Sequence, residues 1–128
     1  MPNHFHFLVN TTEKSVQLEK VGSIEVSSLA NGFRKLLSSY AQAINKQEQR
    51  TGSLFRQKTK AKLLSEANAH YPVQCFHYIH QNPVRASLVK RMEDWEFSSF
   101  QDYLGIRNGS LCHYESTYQL LGIKKRAA

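Results

Sequence analysis

The sequence predicts an α+β fold, and three stretches carry that expectation. Residues 4–9 alternate in the manner of a β-strand, and residues 27–50 hold apolar side chains at helical spacing. The run LFRQKTKAKLL alternates again, this time with cations on one side. A length of 128 residues fits a single domain, 1–128, built on one core. Hydrophobic residues at 41% and charged residues at 21% exclude a disordered chain.

In the first strand His4, His6 and Leu8 share one face, with Phe5, Phe7 and Val9 on the core side. Residues 10–26 are polar and read as a loop. The following helix takes Ser27 or Ser28 as its N-cap. Leu29, Phe33, Leu36, Leu37, Tyr40 and Ile44 form its apolar stripe; Arg34, Lys35, Lys46 and Arg50 fall largely off it, and Thr51-Gly52 closes the element.

The next segment places Arg56, Lys58, Lys60 and Lys62 on one side of an extended chain. Such a face suits a phosphate backbone, and equally a solvated edge strand whose lysines discourage aggregation. A second helix is capped by Ser65, or begins near Tyr71 with Pro72 in its first turn. Asn82-Pro83 is expected to end it, because the residue before proline avoids helical dihedrals, and PVRASLVK would form a short helix capped by Asn82. WEFSSFQDYLG and ESTYQLLG read as two short helices that pack aromatic side chains onto the rest.

The net charge of +7 favours a polyanionic partner, most simply nucleic acid. Cys75 and Cys112 stand far apart with no CxxC pair, so neither a disulfide framework nor a structural zinc site is expected. No run is long and apolar enough to span a membrane, no signal peptide is visible, and a cytoplasmic location is the default.

Two groupings bear on chemistry. Histidines at alternate strand positions, His4 and His6, can offer two imidazole nitrogens to one divalent cation; a chance pair on a strand surface reads the same way. Tyr78 and Asn82, four residues apart in FHYIHQNPVRA, lie on one helix face, about 5–6 Å between Cβ atoms. A hydroxyl and an amide oxygen side by side can serve one metal-bound phosphate. Alternatively, Tyr78 is packed and Asn82 only caps. His77 and His80 have no third ligand at zinc spacing, and His70 and His113 read as surface or packing residues.

MPNHFHFLV, GSLFRQKTKAKLL, YIHQNPVRASLV and WEFSSFQDY, in this order and spacing, resemble the HUH single-tyrosine transposases, and among them the REP-associated tyrosine transposases. The similarity runs to about Leu104. It implies a ferredoxin-like antiparallel sheet with helices packed on one side, followed here by short C-terminal helices. It also implies that His4 and His6 bind Mg²⁺ or Mn²⁺, with Asn82 where the family often has a third polar ligand, and that Tyr78 is the nucleophile. The implied substrate is single-stranded or hairpin DNA, cut through a 5′-phosphotyrosine and rejoined by a 3′-hydroxyl. A free phenol has a pKa near 10, leaving about one part in a thousand as phenolate at neutral pH. A metal-polarised phosphate is therefore what such chemistry demands. Phosphate contacts are expected first from Arg56, Lys58, Lys60 and Lys62, then from Arg34, Lys35 and Arg85.

Against that family the chain is N-terminally short, since members usually carry a further strand and helix before PNHFH. A shortened copy, a reading begun at an internal methionine, and a homodimer that completes the sheet all fit. The rival to the enzyme is a non-catalytic DNA-binding remnant. A further one is a hydrolase whose His4/His6 metal activates water.

Overall fold

The structure is a computed structural model that describes residues 4–55, 59–64 and 70–124. It is a mixed α+β architecture whose contacts cluster into two compact units, residues 9–61 and residues 1–8 with 62–128. Each has its own logic.

In the unit 9–61, a one-turn helix α1 (Glu13–Val16) precedes a β-hairpin of β1 (Leu18–Val21) and β2 (Ile24–Ser27) and the long helix α2 (Ser28–Gln47). A reciprocal pair starts α1: Thr12 Oγ1 accepts from the Ser15 amide, and Ser15 Oγ accepts from the Thr12 amide. The expected loop at 10–26 is therefore structured. Its missed signal was Val21-Gly22-Ser23-Ile24, a two-residue turn in which Gly22 supplies φ +63° between alternating strands. The antiparallel register pairs Leu18 with Ser27 and Val21 with Ile24. Among the described residues these two strands are the whole sheet.

Ser27 caps α2 as expected, its hydroxyl accepting from the Ala30 amide at 3.2 Å. The apolar stripe is covered in part: Leu29, Phe33, Leu37 and Ile44 are half-buried, while Leu36 and Tyr40 remain exposed, and α1 and the hairpin both pack on the helix. The helix ends at Gln47, before Thr51-Gly52. Asn45 then ties the outgoing chain back, donating from Nδ2 to the Gly52 carbonyl.

In the other unit the principal element is α3 (Tyr71–Arg85), with Pro72 in its first turn. The expected stop at Asn82-Pro83 does not occur. Pro83 lies inside the last turn, and Asn82 and Pro83 are both buried, so packing overrides the local bias of a pre-proline residue. The chain leaves through Ser87 at φ +56°, and the Leu88 amide donates to the Pro83 carbonyl at 3.0 Å. No separate PVRASLVK helix forms. A 3-10 turn (Met92–Asp94), α4 (Phe100–Tyr103) and α5 (Tyr114–Leu121) complete the unit. His113 caps α5 by accepting the Ser116 amide on Nδ1.

Two other expectations are corrected. Residues 4–9 form no β-strand and are exposed, Phe5 packing edge-tilted on Phe7 with 5.1 Å between centroids. Residues 59–63 of LFRQKTKAKLL form no strand either, although alternation puts Phe55, Gln57, Thr59, Ala61 and Leu63 on one side. Alternation shows which residues could share a face, but a strand also needs a hydrogen-bonded neighbour.

Among the described residues the buried side chains other than Pro83 are polar: Asn31, His80, Asn82, Ser98 and Asp102. His80 is 4% exposed, enclosed by Phe76 at 4.4 Å, Phe100 at 5.6 Å and Tyr103 at 5.7 Å between ring centroids, with Nε2 2.9 Å from Ser99 Oγ. Asp102 accepts from Arg107 Nε and Nη2 at 2.8 and 2.5 Å and from the Gly109 amide at 3.0 Å. Arg107 also donates to the Glu96 and Ser98 carbonyls, so one guanidinium staples three turns of chain. That ion pair holds the Asp102 carboxyl below its ordinary pKa.

Burial, and next the proximity of His77, push the His80 pKa down from 6.5 to about 4. Between those values the unfolded chain takes up a proton that the folded chain refuses. Stability is therefore complete above pH 6.5 and falls by about 3 kcal/mol as the pH drops to 4. Thermal unfolding across that window should show this slope, and His80→Gln should flatten it; an equal slope in both proteins would remove His80 as its source. At Gly109 a Cβ would stand 2.6 Å from Asp102 Oδ1. Gly109→Ala should thus destabilise by about 1–3 kcal/mol, a shift readable in the denaturant midpoint.

Candidate active site

The unit built on α3 brings His4, His6, Tyr78 and Asn82 together. One continuous helix carries Tyr78 and Asn82, so their four-residue spacing does place them on one face. Asn82 is 7% exposed and its Nδ2 lies 3.4 Å from His6 Nε2, a contact spanning 76 positions of sequence. The His6 ring meets Tyr78 edge to face, 5.9 Å between centroids, and meets His4 at 5.0 Å in the same manner. Tyr78 remains 46% exposed. A half-open phenol thus stands beside two imidazoles and a buried amide.

The expectation that Asn82 caps a following helix fails, and the expectation that it faces the Tyr78 neighbourhood holds geometrically. His6 is exposed yet packed on one side. Desolvation there, and next the His4 ring, lower its pKa, which keeps its ring nitrogen lone pair available at neutral pH. The Asn82 amide holds that ring in place through its contact with Nε2. Among the described residues no group of three or more His, Cys, Asp or Glu side chains is gathered in the manner of a metal centre. The donor set here is two imidazoles and one amide, a different combination. His77 and His80 do not form a further pair of ligands, since His80 faces the aromatic cluster.

The cations fare unevenly. Arg56 and Lys58 lie outside the described residues. Lys60 is exposed, as are Arg34, Lys35 and Arg85. Arg34 is tied down, donating from Nε and Nη2 to Asn31 Oδ1 at 2.9 and 2.8 Å. Lys62 donates to Tyr71 Oη at 2.9 Å, a bond that raises its pKa. Sequence reasoning passed over Lys90 and Arg91, a basic pair five and six residues after Arg85. They line a depression of about 440 Å³ with Gln81, Val84, Arg85, Met92 and Glu93.

Among the described residues no helix is long and apolar enough to cross a membrane. Comparison with known protein families, with characterised proteins and with solved structures finds no match to this chain.

Proposed function

We propose that this protein nicks and rejoins single-stranded or hairpin DNA through a tyrosine nucleophile, as a transposase of the HUH type does. The observation that carries the reading is the convergence of His4, His6 and Asn82 on the face of α3 that presents Tyr78. The motif order in the sequence, the net charge of +7 and the half-exposed phenol support it.

In the first step a bond forms between Tyr78 Oη and phosphorus while the bond from phosphorus to the 3′ oxygen breaks. The phenolic proton passes to solvent and the departing 3′ oxygen takes one up, so charge balances. A later 3′-hydroxyl attacks the phosphotyrosine, restoring the phosphodiester and the phenol. Because the tyrosyl ester retains the bond energy, no nucleotide cofactor is required.

One divalent ion would be held by His4, His6 and Asn82, whose two imidazoles lie 5.0 Å apart between centroids with the amide 3.4 Å from one of them. That mixed nitrogen and oxygen set suits Mn²⁺ at least as well as Mg²⁺, which prefers oxygen throughout. When bound, such an ion draws charge from the scissile phosphate. His6 and Asn82 would exchange their mutual contact for coordination, while the edge-to-face packing of His6 on Tyr78 holds the phenol next to the phosphate. A ferredoxin-like sheet, homodimer assembly and a cytoplasmic setting belong to this reading too. Two strands do not make that sheet, and a second copy of the chain is the simplest source of more. The two-stranded sheet is also what favours a second reading, a DNA-binding remnant without cleavage.

Tyr78→Phe should abolish the covalent DNA adduct on a denaturing gel while binding stays within about twofold of wild type; an undiminished adduct removes Tyr78 as nucleophile. His4→Ala with His6→Ala should lower Mn²⁺-dependent cleavage by about 100-fold or more. Equal rates with and without the two histidines would refute the metal role. Binding by wild type with no adduct under either ion would select the remnant.

A further inference from the structure

The depression beside the C-terminal half of α3 differs in character from the Tyr78 cluster. Its floor is apolar, formed by half-buried Val84 and Met92, and its rim carries Arg85, Lys90 and Arg91. It is shallow and open to solvent, about 440 Å³, a surface on which one face of a ligand could rest. Arg91 is largely spent, because its Nε and Nη2 both donate to Glu93 Oε1. Arg85 and Lys90 are different: among the described residues neither has an acidic partner. Two open cations over an apolar floor match a molecule with an anionic edge and a flat, weakly polar body. Gln81 at the margin adds an amide able to give and accept hydrogen bonds.

Position ties this depression to the proposed chemistry. Arg85 follows Tyr78 by seven residues, two helical turns along the same face, or about 10 Å of rise. That is about the length of three stacked nucleotides. We infer that the depression seats one nucleotide of the strand whose phosphodiester reaches Tyr78. Val84 and Met92 pack its base or sugar, Arg85 and Lys90 hold its phosphates, and Gln81 meets a base edge. This rests on the strand-transfer reading and gives it a substrate subsite. Phosphate contacts alone would carry no sequence choice, whereas a base packed beside Gln81 can.

The test is the affinity of a fluorescent DNA hairpin with a single-stranded thymidine flank, measured over a salt series. It compares wild type, R85Q/K90Q, R85K/K90R and Met92→Ala, with Tyr78 adducts scored in the same samples. Loss of two phosphate contacts should weaken binding about tenfold and lower the salt slope by about 1.4, while the charge-keeping pair retains the wild-type slope. Met92→Ala should weaken binding several-fold with the slope unchanged. Wild-type affinity in R85Q/K90Q overturns the subsite, as does an equal loss in R85K/K90R. Displacement of the DNA by inorganic phosphate, with Met92→Ala binding normally, reduces it to an anion site and overturns the nucleotide. No adduct in wild type, with the R85Q/K90Q slope still lowered, sinks strand transfer and leaves the nucleotide site standing. An adduct with an unchanged slope does the reverse.

Discussion

The burial of His80 is the constraint on which the candidate site depends. Successive residues of an α-helix turn by 100°, so His80 stands 200° from Tyr78. Whatever pins one of them inward turns the other outward. Phe76, one turn earlier on the His80 face, packs against the same Tyr103 ring, so two positions of α3 are clamped at once. Tyr78 then has no choice but the open side, and it needs no special exposure signal of its own. The clamp is polar at its centre, which makes it directional: the Ser99 hydroxyl fixes the azimuth of the His80 ring in a way that methylene packing would not.

Asn82 extends the same logic. At 40° from Tyr78 it shares that side of the helix, yet it is buried, because the segment carrying His4 and His6 lies against it. A buried amide must find partners, and His6 Nε2 is one of them. The proline that follows removes an amide donor at the point where the helix is closing anyway, so α3 loses little by containing it. The outcome is a helix whose final turn is fixed by tertiary contacts on both sides, and which delivers Tyr78, Asn82 and Arg85 along one line.

Much of this was legible in the sequence where the determinant is local. The Ser27 cap, the stripe on α2, Pro72 in the first turn of α3 and the common face of Tyr78 and Asn82 all follow from spacing and short-range chemistry. The hairpin also had a local signal, Gly22-Ser23 between LEKV and IEVS, which polar composition concealed. What was not legible depends on partners distant in sequence. Whether residues 4–9 pair into a sheet, whether Asn82-Pro83 stops a helix, and that Arg107 closes on Asp102 are decided by what packs against them. Alternation and pre-proline bias describe only the chain's own preference.

Those partner-dependent contacts also redistribute the positive charge. A net charge of +7 suggests a broadly basic surface, but several cations are engaged internally. Arg107 neutralises a buried carboxylate, Arg91 is paired with Glu93, Arg34 holds Asn31, and Lys62 leans on Tyr71. A guanidinium that already donates to two backbone carbonyls and a carboxylate has few N–H groups left for a phosphate. Around α3 and its following turn, the cations with no acidic partner among the described residues are thus Arg85 and Lys90. Under the proposed strand-transfer reading, their placement down-helix from Tyr78 would give an approaching strand a direction: the line of the helix, rather than the sum of the charge, would set which phosphate meets the phenol.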